Sequence, residues 1–352
     1  MPTSDSRMIK PAADDRGVPT LWLGLMYGHL MRVRDGPVFE AVETPWPHEI
    51  GEAPLDVLGR TVDGQHEFWV ATRQSGVFRQ RGGQWTSMRP PGVVGTWRAL
   101  SLVEQFDRAG HSWIWASTNR GLARFDGENV SLLGREIGLP GIELLSLTLL
   151  PDAQGRQILW LGSVGDGIQR VDVTDPMHPI TLPVDDLPAP PDRTAYGAMR
   201  DSTGRIYVCT NNGVQVLTTG PGGYESRLYT RKDGLVHDEC NTDAQFIDAN
   251  DRFWTGMLGG VAVFDPGSEI SDRHPSRSSS SRRKSMEPTS MPRISAFRRA
   301  VANCDSTTRC CHGSAKVIRA SARRSSDTIP LQDHGRPTAA ARSATLRLAI
   351  TG

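Results

Sequence analysis

Residues able to do chemistry are sparse in this chain of 352 residues. The densest polar stretch is HDEC at 237–240, which sets His237, Asp238 and Cys240 together with Asp243 close behind. A transition metal takes ligands of these types, but the spacing fits no known site, and a polar turn entering a strand accounts for the same residues. Cys304, Cys310, Cys311 and His312 form C-x5-C-C-H, without the two-residue gap of a zinc knuckle. LWLGSVGDG (159–167) is glycine-rich, yet it has no Lys-Ser/Thr pair and no βαβ context, so it is not read as a phosphate cradle. No G-x-S-x-G nucleophile turn occurs. The 34 acidic residues before position 271 are spread over turns, and no pair stands out for glycosidase work. The expectation is therefore no catalytic residue, no metal ligand, no cofactor, and a chain that is not an enzyme.

The chain is made of two materials. Residues 1–270 carry 34 acidic and 24 basic side chains, whereas residues 271–352 carry 5 and 16. All nine Trp and all five Tyr lie in the first part, and Phe297 is the one aromatic of the second. The second part is rich in Ser, Arg and Ala and lacks the apolar content for a core. Cys209 and Cys240 fall in or near expected strands and read as buried thiols. No run of 18 apolar residues exists, and MPTSDSRMIKPAADD at the N-terminus has no signal-peptide core, so the chain as written is expected in the cytoplasm.

What recurs is a phrase. LWLG (21–24), FWVA (68–71), IWAS (114–117), LWLG (159–162), IYVC (206–209) and FWTG (253–256) place Trp22, Trp69, Trp115, Trp160, Tyr207 and Trp254 at steps of 47, 46, 45, 47 and 47. Each is followed by a glycine, namely Gly28, Gly76, Gly121, Gly167, Gly213 and Gly260, and in most copies by a short alternating run such as GLARFD or GVAVFD. Each is preceded by a turn, as in DDRG (14–17), DRAG (107–110), DAQG (152–155) and DSTG (201–204). Gly and Asp tolerate positive φ, and two-residue alternation marks half-buried strands, so every copy reads as a hairpin. About 25 residues separate successive hairpins, enough for two more strands. Four strands in about 47 residues is the arithmetic of a β-propeller blade. The aromatic is expected to pack between blades, the glycine to set the turn, and the Asp of RFD, RVD or VFD to cap the next turn.

These residues resemble the two-component regulator propeller repeat of bacterial sensor proteins, D-x-x-G-x-LW-[IV]-G-T-x-x-G-[GL]-L-x-x-[YF]-D. DSTGRIYVCTNNGVQVL (201–217), DANDRFWTGMLGGVAVFD (248–265) and HSWIWASTNRGLARFDG (111–127) follow it well, with GLPG (138–141) as the family's preceding turn. The resemblance covers residues 14–266 and implies an all-β propeller of about 5.5 to 6 four-stranded blades, incomplete relative to a seven-bladed ring. It further implies a non-enzymatic, ligand-sensing or interaction fragment of a signal-transduction receptor, whose intact parent is periplasmic at this region and whose kinase or cyclase output domain is absent here. A small molecule or protein is expected on one propeller face, and nucleic acid is not. Residues between aromatic strand and glycine are the expected rim: Thr72, Arg73, Gln74, Thr118, Asn119, Arg120, Ser163, Asp166, Thr210, Asn211, Asn212 and Met257.

An alternative is a metal-dependent enzyme of the streptogramin-lyase or lactonase type, since such propellers share a Trp/Gly-rich repeat and use a His with a divalent metal. His66, His111 and His237 lie 3, 4 and 17 residues before an aromatic and form no repeated set. Residues 1–13 are expected to be disordered, and 267–352 to be a disordered basic tail, read as translation out of frame in preference to a linker or a basic arm. Neither terminus offers a strand candidate, so about 22 strands are expected. An open ring of that kind should expose edges and apolar faces and be marginally stable unless a partner adds strands.

Overall fold

The computed structural model describes residues 5–34, 38–268 and 297–300. The fold is an all-β, six-bladed propeller of six antiparallel four-stranded sheets. Blade 1 runs Ser6–Val42, blade 2 Pro54–Ser87, blade 3 Ala99–Leu133, blade 4 Leu144–Leu182 and blade 5 Ala195–Tyr229. Blade 6 comprises Cys240–Phe264 and a fourth strand, Phe297–Ala300. Within each sheet the strands lie in chain order, and the first strands of successive blades pack side by side around the axis. Among the described residues the only helices are short 3-10 turns, and no helix is long and apolar enough to cross a membrane.

Two expectations about the termini are corrected. Residues Ser6–Ala13 are the inner strand of blade 1, paired in register with Pro19–Leu25. Phe297–Ala300, inside the expected tail, pairs with the third strand of blade 6. The two segments raise the strand count from the expected 22 to 24. Both were missed because each lacks the strong alternation that marks the hairpins. The other readings of the tail, including its four-residue Cys/His cluster, lie outside the described residues.

The repeated residues do what their spacing implies. The six repeat glycines all have positive φ, from +65° to +129°. At Gly121 the need is also steric, because a Cβ would stand 2.3 Å from the Leu133 carbonyl oxygen. In the turns before the aromatics, Asp14, Asp107, Asp152, Asp201 and Asp248 each accept, on one carboxylate oxygen, the backbone N–H groups two and four residues on. Asp126, Asp172 and Asp265, which end the alternating strands, likewise accept a backbone N–H from the following turn.

The aromatics fill the seams between blades. Trp22 stacks on Phe68 at 4.1 Å, and Tyr207 on Phe253 at 4.5 Å. Buried apolar clusters weld blades 1 to 2, 2 to 3, 3 to 4, 4 to 5 and 5 to 6. Among the described residues none welds blade 6 to blade 1. The first five repeat aromatics are at most 3% exposed, but Trp254 is partly exposed and its cross-strand neighbour Phe246 is 60% exposed. On the other side of that seam, Leu21 and Leu23 are partly exposed, whereas their counterparts Phe68 and Val70 in blade 2 are fully buried. The same two faces that pack at five seams stay wet at the sixth.

Candidate functional site

Every inner strand carries a β-bulge at the same level. One residue is inserted in blades 1 to 5 (Arg7, Leu55, Leu100, Leu145 and Tyr196), and in blade 6 the four residues 241–244 stand opposite the single Gly256. A bulge bends the strand and re-aims the side chains beside it. Here it gathers polar groups where the six inner strands converge. The Lys10 ammonium donates to Asp56 Oδ1 at 2.6 Å, linking blades 1 and 2. The other Asp56 oxygen accepts the Leu102 N–H of blade 3 at 2.8 Å. The Ser101 hydroxyl, also of blade 3, donates to Asp243 Oδ2 at 2.7 Å. Asp243 belongs to the long bulge of blade 6, three blades away, so this bond crosses the axis. Its φ of +50° is the local cost of that reach. Ser146 is buried at 2% exposure, with no protein partner for its hydroxyl. Gly197 leaves room for Gln245, whose Oε1 would lie 2.6 Å from a Cβ there.

Lys10 sets the electrostatics. Burial disfavours its charge, but Asp56 and then Asp243 more than offset this, and the ammonium titrates above its ordinary range. Its side chain is hemmed in by protein and still 41% accessible, against 10% for Asp56. The ammonium is therefore open to solvent and not in the apolar core. A fixed, accessible cation can bind a carboxylate or polarise a carbonyl oxygen.

The expected rim residues lie on the same face, because each second strand ends where its first strand begins, as in the pairing of Thr72 with Pro54. They do not form one surface. Thr72, Thr118, Ser163 and Thr210 are fully buried, and each hydroxyl donates to the carbonyl of its repeat glycine at 2.6–3.0 Å, clamping the turn. Met257 is buried in the seam between blades 5 and 6. Asn119 accepts the Arg98 N–H, Asn211 accepts the Tyr196 hydroxyl, and Asn212 donates to the Pro191 carbonyl. Gln74 donates to the Ile50 carbonyl, while Arg73 and Arg120 are exposed. Asp166 lies at the mouth of a cleft on blade 4.

The HDEC stretch is a turn, as read: Asp238 accepts the Arg231 N–H and His237 Nδ1 accepts the Glu239 N–H. Cys240 and Cys209 are buried free thiols. Burial, with Cys240 beside it, pushes the Cys209 thiol up. Among the described residues no three His, Cys, Asp or Glu side chains are placed to share a metal ion. On the axis two carboxylates already face a lysine, so these residues do not fit the divalent metal of a lyase-type propeller.

Sequence reasoning missed Lys10, Asp56, Ser101 and Ser146 because it searched hairpin tips, and it noticed Asp243 only as a neighbour of the HDEC turn. A faint signal existed: Ser101 and Ser146 both stand 14 residues before a repeat Trp.

Compared by sequence, the chain matches no protein-family profile, and no curated protein resembles it. Solved structures do share its fold. The extracellular domain of a hybrid two-component system from B. thetaiotaomicron superposes with a TM-score of 0.56 at 16% identity, over 76% of this chain and 34% of that one. PorZ, a surface component of the type-IX secretion system of Porphyromonas gingivalis, gives 0.50 at 16% identity, over 75% and 39%. Virginiamycin B lyase from Staphylococcus aureus gives 0.51 at 12% identity, over 75% of this chain and 82% of the lyase. The chain thus spans about a third of the length of the two-component structures it matches. The likeness defines the class: a six-bladed β-propeller resembling extracellular domains of bacterial two-component sensors and shared with propeller enzymes. The expectation that the chain is not an enzyme is overturned here, since the same fold likeness extends to a lyase over most of that enzyme's length.

Proposed function

We propose that the protein is a small-molecule propeller whose site is the axial cluster of Lys10, Asp56, Ser101 and Asp243, and that it acts on its ligand with chemistry of the lyase or lactonase kind. The observation that carries this reading is an ammonium ion held at 2.6 Å from Asp56 with 41% of the lysine side chain accessible. Lys10 binds and polarises a ligand oxygen, and Asp243, bonded to Ser101 across the axis, is the carboxylate within reach of a proton beside it. The lyase match over 82% of that enzyme supports the choice of class.

The test is a panel of lactones with their hydroxy-acid products, followed by pH-stat turnover and by calorimetry, on the intact chain and on Lys10→Met. Turnover reduced about 100-fold in Lys10→Met, with its melting temperature kept, is the expected result. Equal turnover and equal binding in the variant would remove the axial cluster from the function.

A second reading rests on the two-component likeness: the propeller is the ligand-sensing part of a receptor, on the outer side of the membrane, with a kinase or cyclase output elsewhere in that receptor. Binding at the axis that requires Lys10, without turnover of any panel member, selects this second use.

A further inference from the structure

Cys209 and Cys240 meet at the seam between blades 5 and 6, in one buried cluster with Phe253 and Met257. Both are free thiols, 0% and 1% exposed. Their approach follows from register. On blade 6, Cys240 lies directly opposite Met257, two residues beyond Thr255, so these three side chains leave the same face of the sheet. Thr255 Oγ1 shares a hydrogen bond with Cys209 Sγ at 3.3 Å, which makes that face the one turned to blade 5. Gly197, paired with Cys209 on the inner strand of blade 5, has no side chain to stand between the blades, and Gln245 of blade 6 fills the space. Cys240 completes the set of blade 6 groups around the Cys209 sulfur and lies within hydrogen-bonding range of it.

We infer that Cys209 and Cys240 are a disulfide-forming pair, a covalent weld between blades 5 and 6 made in an oxidising compartment. Among the described residues no apolar cluster joins blade 6 to blade 1, so blade 5 alone holds blade 6 in place. Cys240 also opens the 241–244 bulge that carries Asp243 to the axis, and the bond pins the start of that segment. Burial holds the Cys209 thiol protonated and keeps both sulfurs from reagents, so the bond forms while blade 6 is open, during folding or local unfolding. The oxidant is a small-molecule disulfide. The Cys240 thiolate, at the end of the partly exposed 236–239 turn, attacks one of its sulfurs, forms a mixed disulfide and releases one thiol. The Cys209 thiolate then attacks the Cys240 sulfur, the protein disulfide forms, and the second thiol leaves. The two electrons and two protons lost by the cysteines end on the two released thiols. The inference is independent of whether the axial site binds its ligand or turns it over.

The test refolds the reduced full chain in a buffer of reduced and oxidised glutathione, and in parallel in dithiothreitol. Free thiols are then blocked with iodoacetamide, and the protein is digested for mass spectrometry without reduction. A peptide pair joining Cys209 to Cys240 is expected in the glutathione sample alone, in preference to any pair with Cys304, Cys310 or Cys311. The bond closes a loop of about 30 residues, so the oxidised protein should melt roughly 5–10 °C above the reduced one. Cys240→Ala should abolish both the linked peptide and the redox-dependent shift; the wild-type map decides the question even where that variant fails to fold. Absence of the Cys209–Cys240 peptide, preferential pairing of either cysteine with the three later ones, an oxidised form that melts no higher than the reduced, or a shift that survives Cys240→Ala would each overturn the inference.

Discussion

Trp115→Ala and Trp254→Ala remove the same side chain from the same position of the repeat, and the fold predicts different costs. Trp115 is fully buried between blades 3 and 4, and its indole N–H donates to Gln105 Oε1 at 3.1 Å. Its removal leaves a large cavity and a buried amide oxygen without its donor, a loss of about 3–5 kcal/mol. Trp254 faces the seam where no neighbouring blade covers it, and its indole N–H bonds Asp248 at 3.0 Å at the blade edge. Water already touches that ring, so truncation should cost only about 1–2 kcal/mol. For a domain of this size each kcal/mol moves the melting temperature by roughly 2–4 °C. Thermal and urea unfolding of both variants, with equal m-values, should therefore separate them by several degrees. Equal destabilisation would refute the open seam and imply that blade 6 packs on blade 1 as tightly as the others pack on their neighbours.

Other outcomes follow from buried charge and backbone geometry. Glu67 is fully buried and accepts from Arg60, Arg81 and Trp69; Glu67→Gln strands the almost fully buried Arg60 guanidinium, and equilibrium unfolding should show a loss of about 3–5 kcal/mol. Burial alone would raise the Glu67 carboxyl, yet Arg81 and Arg60 hold it below its ordinary range, and in Asp248 the bonds from Arg252 and Trp254 outweigh burial to bring it to about 2. Both native values are depressed, so their stabilisation is present above the ordinary carboxylate range and is lost as pH falls toward 2; an acid titration by near-UV circular dichroism should show unfolding in that window, not near neutrality. Gly121→Ala should destabilise by clearly more than Gly110→Ala, since a Cβ at Gly121 meets the Leu133 carbonyl at 2.3 Å while one at Gly110 has open space, and both have positive φ.

Much of this architecture was readable from linear order because a propeller is built from local units. A hairpin is defined by its own turn and alternation, so the period of the aromatics, the glycines at positive φ and the Asp-capped turns could be read one blade at a time. The same logic explains the buried state of Trp22, Trp69, Trp115, Trp160 and Tyr207, each of which needs only the next repeat to cover it. Trp254 breaks that rule for a reason no local pattern contains: whether a sixth blade finds a neighbour depends on how the ring closes.

The axial cluster belongs to the same second category. Lys10 and Asp243 are separated by about two-thirds of the chain and sit in segments with weak patterning, one of them a stretch that looked structureless. The inner strands bring them within electrostatic range, beside the register shifts of blades 1 and 6. Cys209 and Cys240 read in the sequence as two separate buried thiols, and only the packing of blade 5 on blade 6 brings their sulfurs together. The sequence alone thus determined the repeat, its strands and its turns, because those depend on interactions within about 47 residues. The tertiary structure decided the site, because side chains from different blades meet only when the sheets are arranged around a common axis.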